Sequence, residues 1–148
     1  MVYADYWIAL QEGHLTYGTF EDYKSIINRH IKPSMKGLRM RDVLPDDITR
    51  MMKEVANFSK SVHDKTYMLA KQMFTNAYDN KLISENPCPK MHAGGRDPVE
   101  RQALTNEQMT TLIEAVKGTR AYVFCMIGLY SGLRREEILG LKWDCVRL

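Results

Sequence analysis

A chain of 148 residues is long enough for one domain, or for one small domain plus part of another. Charged residues at 26% and hydrophobic residues at 45% are ordinary for a soluble globular protein, and a net charge of +3 is too mild to indicate nucleic acid by itself. Several classes are excluded more firmly. No apolar stretch approaches the roughly 20 residues that span a bilayer, and no signal peptide is visible at the N-terminus. The three cysteines, Cys88, Cys125 and Cys145, form no CxxC or Cys/His pattern, which argues against a disulfide framework and a metal site. The expectation is a cytoplasmic protein with no metal and no cofactor.

Taken in order, Tyr3, Trp7 and Leu10 mark a helical stripe ending near Gly13. Gly18 and Thr19 open a second helix, with Glu21 and Asp22 near its start and Phe20, Tyr23, Ile27 and Ile31 along one face. Pro33 is expected to end it, because the residue before a proline is pushed out of the α region. Pro45 and Asp46 start a third helix carrying Ile48, Met51, Met52, Val55 and Phe58. Ser61 is a candidate N-cap for a fourth, with Asp64 at the capping-box position and Val62, Leu69, Met73 and Ala77 aligned as far as about Asn80. Four amphipathic helices within residues 1–86 predict a small bundle with its own core.

Charge is unevenly placed along this bundle. Lys24, Arg29, Lys32, Lys36, Arg39 and Arg41 follow one another, with His30 among them and no Asp or Glu between. Such a block is a candidate phosphate-contacting edge, joined by Lys65 and Lys71 on the fourth helix; a solvated face is the plainer reading.

From 87 to 99 the composition shifts to Pro87, Pro89, Gly94, Gly95 and Pro98, with Lys90, His92 and Arg96 between them. This predicts an extended, mobile linker in which His92 is solvated rather than a ligand. Residues 100–148 then open a second unit. Thr105 with Gln108 forms a capping box, Leu104 with Met109 stands at the positions of a hydrophobic staple, and a helix carrying Leu112, Ile113 and Val116 stops at Gly118. The nearly all-apolar run from Ala121 to Tyr130 predicts a buried helix that ends at Gly132, where positive φ is tolerated. Residues after Trp143, from Cys145 to Leu148, are expected to begin a strand.

After that break the run GLRREEILGLKWD, Gly132 to Asp144, is helical in pattern. Arg134, Glu137 and Leu141 fall at i, i+3 and i+7, one face of a helix. An arginine at a helix start opposes the dipole unless its guanidinium faces an anion that also meets the helix N-terminus, and phosphate is the usual such anion. A surface Arg–Glu pair on an ordinary helix is the alternative.

This run resembles the first arginine box of the tyrosine recombinases, the phage integrase family, with its G-L-R-x-x-E-x-x-x-L-x-W core. Upstream, Thr19, Tyr23, His30-Ile31-Lys32-Pro33, Asp47-Ile48 and the close from Ala77 through Leu82-Ile83 to Asn86-Pro87 resemble that family's core-binding, SAM-like four-helix module. Leu104-Thr105 and the run into Gly132 resemble the start of its catalytic domain. The resemblance implies a mainly α fold: a SAM-like bundle at 1–86, a linker at 87–99, and the truncated, helical N-terminal part of an integrase catalytic domain at 100–148. It implies that Arg134 is catalytic, one of two arginines holding the scissile phosphate, that Glu137 supports it, and that Arg135 lacks that role.

The family's chemistry breaks and rejoins DNA through a 3′-phosphotyrosine intermediate, without metal or high-energy cofactor. Its tyrosine nucleophile, hairpin lysine and His-x-x-Arg box follow the first arginine, and none can be placed in this sequence. The expectation is therefore a DNA-binding piece of a phage or bacterial site-specific recombinase, inactive by itself, whose parent assembles as a tetramer on double-stranded DNA. Two other classes stay open: a non-catalytic DNA-binding regulator and a helical protein-interaction module.

Overall fold

The computed structural model describes residues 2–90, 94–100 and 102–145. His92 and the residues 146–148 of the expected strand lie outside the described residues. The chain divides into two compact units, Met1–Val99 and Glu100–Leu148. Both are helical, and among the described residues the nearest thing to a sheet is an isolated parallel bridge between Ser59 and Arg96.

Unit 1 is the four-helix arrangement the apolar spacing predicts, with local differences at nearly every helix end. Helix α1 (Val2–Leu10) buries Ala4, Trp7 and Ile8, so its inner face is rotated from the expected stripe and Leu10 is 43% exposed. Helix α2 (Tyr17–Ile26) starts earlier than Gly18, because the Thr16 hydroxyl accepts the Thr19 N–H at 3.4 Å and caps it.

Pro33 does not end this helix. The chain passes through a π-helical turn, Ile27–Ile31, and on into α3 (Lys32–Ser34). The wider turn lets the Lys32 N–H reach back to the Ile27 carbonyl. Pro33 then enters at the start of the following α turn, where its missing N–H costs little. The Ser34 hydroxyl lies 2.8 Å from the His30 carbonyl and 2.5 Å from a Glu54 carboxylate oxygen, tying this end to the next helix.

After a 3-10 turn (Met40–Asp42), α4 (Pro45–Glu54) begins with proline in its first turn and with the Asp47 carboxylate accepting the Leu44 N–H at 3.0 Å. It stops short of the expected Phe58, which is 47% exposed. Helix α5 (Lys60–Asp79) is capped by Ser59, whose hydroxyl accepts the Val62 N–H; Ser61 is inside the helix, and Asp64 faces His63 Nδ1 at 3.1 Å instead of closing a capping box.

Leu69, Ala70, Met73, Phe74 and Ala77 of α5 are wholly buried, against Ile27, Ile31, Met35, Ile48 and Met51. At the far end Asn86 turns the chain back: its amide donates to Thr75 Oγ1 at 3.0 Å while its oxygen accepts the Cys88 N–H at 3.0 Å. The described residues of the expected mobile linker are likewise fastened to unit 1, through a Tyr67 hydroxyl donating to the Pro89 carbonyl and through the bridge at Arg96.

Unit 2 contains α6 (Asn106–Val116), α7 (Ala121–Ser131), α8 (Arg135–Leu139) and a 3-10 turn at Trp143–Cys145. The expected capping box is present: the Thr105 hydroxyl accepts the Gln108 N–H at 3.3 Å and Gln108 Oε1 accepts the Thr105 N–H at 3.0 Å. The expectation that α7 is buried is corrected. None of its residues is fully buried: most are partly covered, and Val123 and Tyr130 are 64% and 71% exposed.

Two stability outcomes follow from unit 1. Phe74→Ala should cost about 3–5 kcal/mol in urea unfolding, the range for a deleted core aromatic. Asp47→Ala should cost about 0.3–1 kcal/mol at neutral pH. The Leu44 N–H above all holds the Asp47 carboxyl below its ordinary range, against the opposing effect of burial and with Arg50 adding to the lowering. A depressed carboxylate contributes fully above its unfolded value and loses that contribution as the pH falls through its folded one. The gap between Asp47→Ala and the parent should therefore close in acid.

Candidate nucleic-acid interface

The segment between α7 and α8 places Arg134. Gly132 adopts φ +67°, the left-handed conformation that ends α7, and its N–H reaches the Gly128 carbonyl at 3.2 Å. Leu133 N–H then donates to the Ser131 hydroxyl at 3.3 Å. Arg134 follows with extended backbone, φ −72° and ψ 157°, as the N-cap of α8. It thus precedes the first turn, one position earlier than a helix-face reading assumes. Leu141 lies past the Gly140 that caps the other end, so it shares no helix face with Arg134.

The pairing with Glu137 does form, and at two places. The Arg134 backbone N–H donates to Glu137 Oε2 at 2.7 Å, and its guanidinium Nη1 lies 3.4 Å from Glu137 Oε1. One carboxylate therefore holds both the root and the tip of the same arginine. The Arg134 side chain remains 87% exposed, leaving most of its five N–H donors for another acceptor. Arg135 is engaged differently, through its Nε to the neighbouring Glu136 at 2.9 Å.

The basic residues of unit 1 separate into two groups. Lys24 lies 3.6 Å from Glu21 and 5.9 Å from the centre of the Phe20 ring. Lys32 pairs with Asp5 of α1, and Lys65 with Asp22 of α2. The carboxylates absent from the 24–41 run in sequence are thus supplied in part by other helices. Among the described residues, Arg29, Lys36, Arg39 and Lys71 are exposed and have no acidic partner, while Arg41 stands 3.9 Å from Asp42. Lys71 lines an open groove with Trp7, Gln11, Thr75 and Asp79, to which no residue of the 24–41 run contributes lining. His30 packs edge-on against Phe58, and its burial, then the Arg29 charge, holds its imidazole below the usual range.

Comparison with known proteins adds a family likeness. The family described as phage integrase, N-terminal SAM-like domain, matches residues 2–56. The chain is 28% identical over 136 residues to a "Tyrosine recombinase XerC-like" of Caldanaerobacter subterraneus subsp. tengcongensis, an alignment covering 84% of this chain and 34% of that protein. It is 23% identical over 147 residues to an "Integrase" of Streptomyces ambofaciens, covering 96% of this chain and 37% of that protein. The chain spans about a third of the length of these curated relatives. No solved structure matches it.

Among the described residues no three His, Cys, Asp or Glu side chains converge, and no helix is long and apolar enough to cross a membrane. Burial pushes the Cys88 thiol up to about 12, against a small opposing effect of Lys71. Alkylation at pH 8 followed by peptide mass mapping should therefore modify exposed Cys145 first and leave Cys88 nearly untouched in the folded chain.

Proposed function

We propose that the chain is part of a tyrosine recombinase of the phage integrase family, and that these residues bind double-stranded DNA and supply one phosphate-holding arginine to a strand-breaking and rejoining site; the match of residues 2–56 to the integrase SAM-like domain and the likeness to two curated recombinases support this reading. The observation that carries the reading is Arg134: a capping residue on a short helix, clamped by Glu137 at both backbone and guanidinium, with its remaining donors in solvent. In the whole protein a tyrosine oxygen attacks the scissile phosphorus and the deoxyribose 5′-oxygen leaves, giving a 3′-phosphotyrosine link. Negative charge on the non-bridging oxygens is then stabilised by the fixed guanidinium, the kind of electrostatic preorganisation that dominates such steps. Glu137 serves by holding Arg134 and takes no proton.

Duplex binding falls to unit 1. Arg29, Lys36 and Arg39, without acidic partners, carry most of the phosphate contact, with Lys71 on a separate groove. Lys24, Lys32 and Lys65 contribute less, because each first has to leave an internal carboxylate. Assembly of the whole protein as a tetramer on its recombination site belongs to the same proposal.

Two experiments test it. In fluorescence titrations with duplex DNA, Lys36→Glu combined with Arg39→Glu should reduce the magnitude of the log–log salt slope by about 0.9 per lost contact. Lys32→Glu should change it less, and an unaltered slope in the double variant removes this segment from the footprint. In the full-length recombinase on a nicked suicide substrate, Arg134→Ala should abolish the covalent protein–DNA adduct and Arg135→Ala should spare it. Arg134→Lys should also fail, since a point charge does not replace a planar fork. The opposite pattern for Arg134 and Arg135 would overturn the assignment.

A further inference from the structure

We propose that residues 94–97 are a clasp that fastens the chain to the first turn of α5, so that these residues are an ordered part of unit 1 rather than a loose segment. The inference rests on local geometry and is independent of the DNA reading.

A helix begins with N–H groups that have no partner inside it. In α5 the Ser59 hydroxyl takes that of Val62, while the Lys60 N–H donates to the Arg96 carbonyl at 2.9 Å. The Arg96 N–H returns the bond to the Phe58 carbonyl at 2.7 Å, and its guanidinium reaches the Asn57 carbonyl at 3.2 Å. Arg96 is thereby a fastening, with its backbone serving as part of the cap on α5. An Asp97 carboxylate 3.9 Å from Lys60 adds a weak, exposed attraction.

Both glycines are required by closeness as much as by flexibility. Gly95 has φ +82°, and a Cβ there would lie 2.6 Å from the Lys60 Cα, a backbone atom that cannot move aside. A Cβ on Gly94 would lie 2.5 Å from Nε2 of His63, which is only 4% exposed. Gly94 and Pro89 also wall a cavity of about 200 Å³ with Ile48, Met52, His63 and Tyr67, so the chain here is part of the packed surface of unit 1.

Amide hydrogen exchange on the intact chain tests the clasp. The Lys60 and Arg96 amides should be protected. Gly95→Val should abolish that protection while leaving Leu69 and Met73 in α5 as slow as before. Gly94→Ala should have the same local effect, and combining it with His63→Ala, which removes the ring that the new methyl group strikes, should restore protection at Lys60 and Arg96. This rescue decides the matter even if Gly95→Val unfolds the unit. Unprotected Lys60 and Arg96 amides in the parent chain, or a double variant no better than Gly94→Ala alone, would overturn the proposal.

Discussion

The face of α5 that carries Leu69, Ala70, Met73, Phe74 and Ala77 is wholly shielded from water, and the other helices of unit 1 take their positions from it. Each large apolar side chain buried there contributes about 1.5–3 kcal/mol. No other element of the unit presents so continuous an apolar surface. Polar links then fix the registers that burial leaves loose: Tyr3 to Asn76 seats α1 at 2.7 Å, and Ser34 to Glu54 joins the end of α3 to α4. The basic residues project from a frame set by this one face, so their arrangement is a by-product of how α2, α3 and α4 settle on α5.

How far the sequence could be read depended on the range of the interactions involved. Helix existence, the stops at Gly118 and Gly132, and the Thr105–Gln108 box rest on neighbours within a few residues, and spacing exposes them. Pro33 misled because a π turn five residues long absorbs a defect that normally breaks a helix, and nothing local in Ile27–Ile31 announces it. Ser61 and Ser59 are two residues apart and equally good caps in isolation; the difference is that Lys60 meets the Arg96 carbonyl, a partner from 36 positions later. The incomplete burial of α7 was illegible for a similar reason, since apolar composition reveals an appetite for burial and says nothing about what satisfies it.

The candidate site divides along the same line. The Arg134–Glu137 pair was legible because three residues of separation at a helix start bring the two together locally. The partners of Lys32 and Lys65 were not, since Asp5 and Asp22 arrive from 27 and 43 residues away. A run of cations without interspersed acids is thus a weaker sign of surplus charge in a bundle than in an isolated helix. Its effective potential is set by Arg29, Lys36 and Arg39, the members that folding leaves unpaired among the described residues.

No described residue of unit 2 is fully buried, although α7 is almost entirely apolar; most of the side chains of α7 are partly covered. Heat capacity on melting tracks the apolar surface newly wetted, and a partly covered side chain wets less of it than a fully buried one. Per residue, unit 2 should therefore add less to the ΔCp of the chain, and to the steepness of its denaturant curve, than unit 1 does. In thermodynamic terms the arginine-bearing helix sits in the less cooperative of the two units.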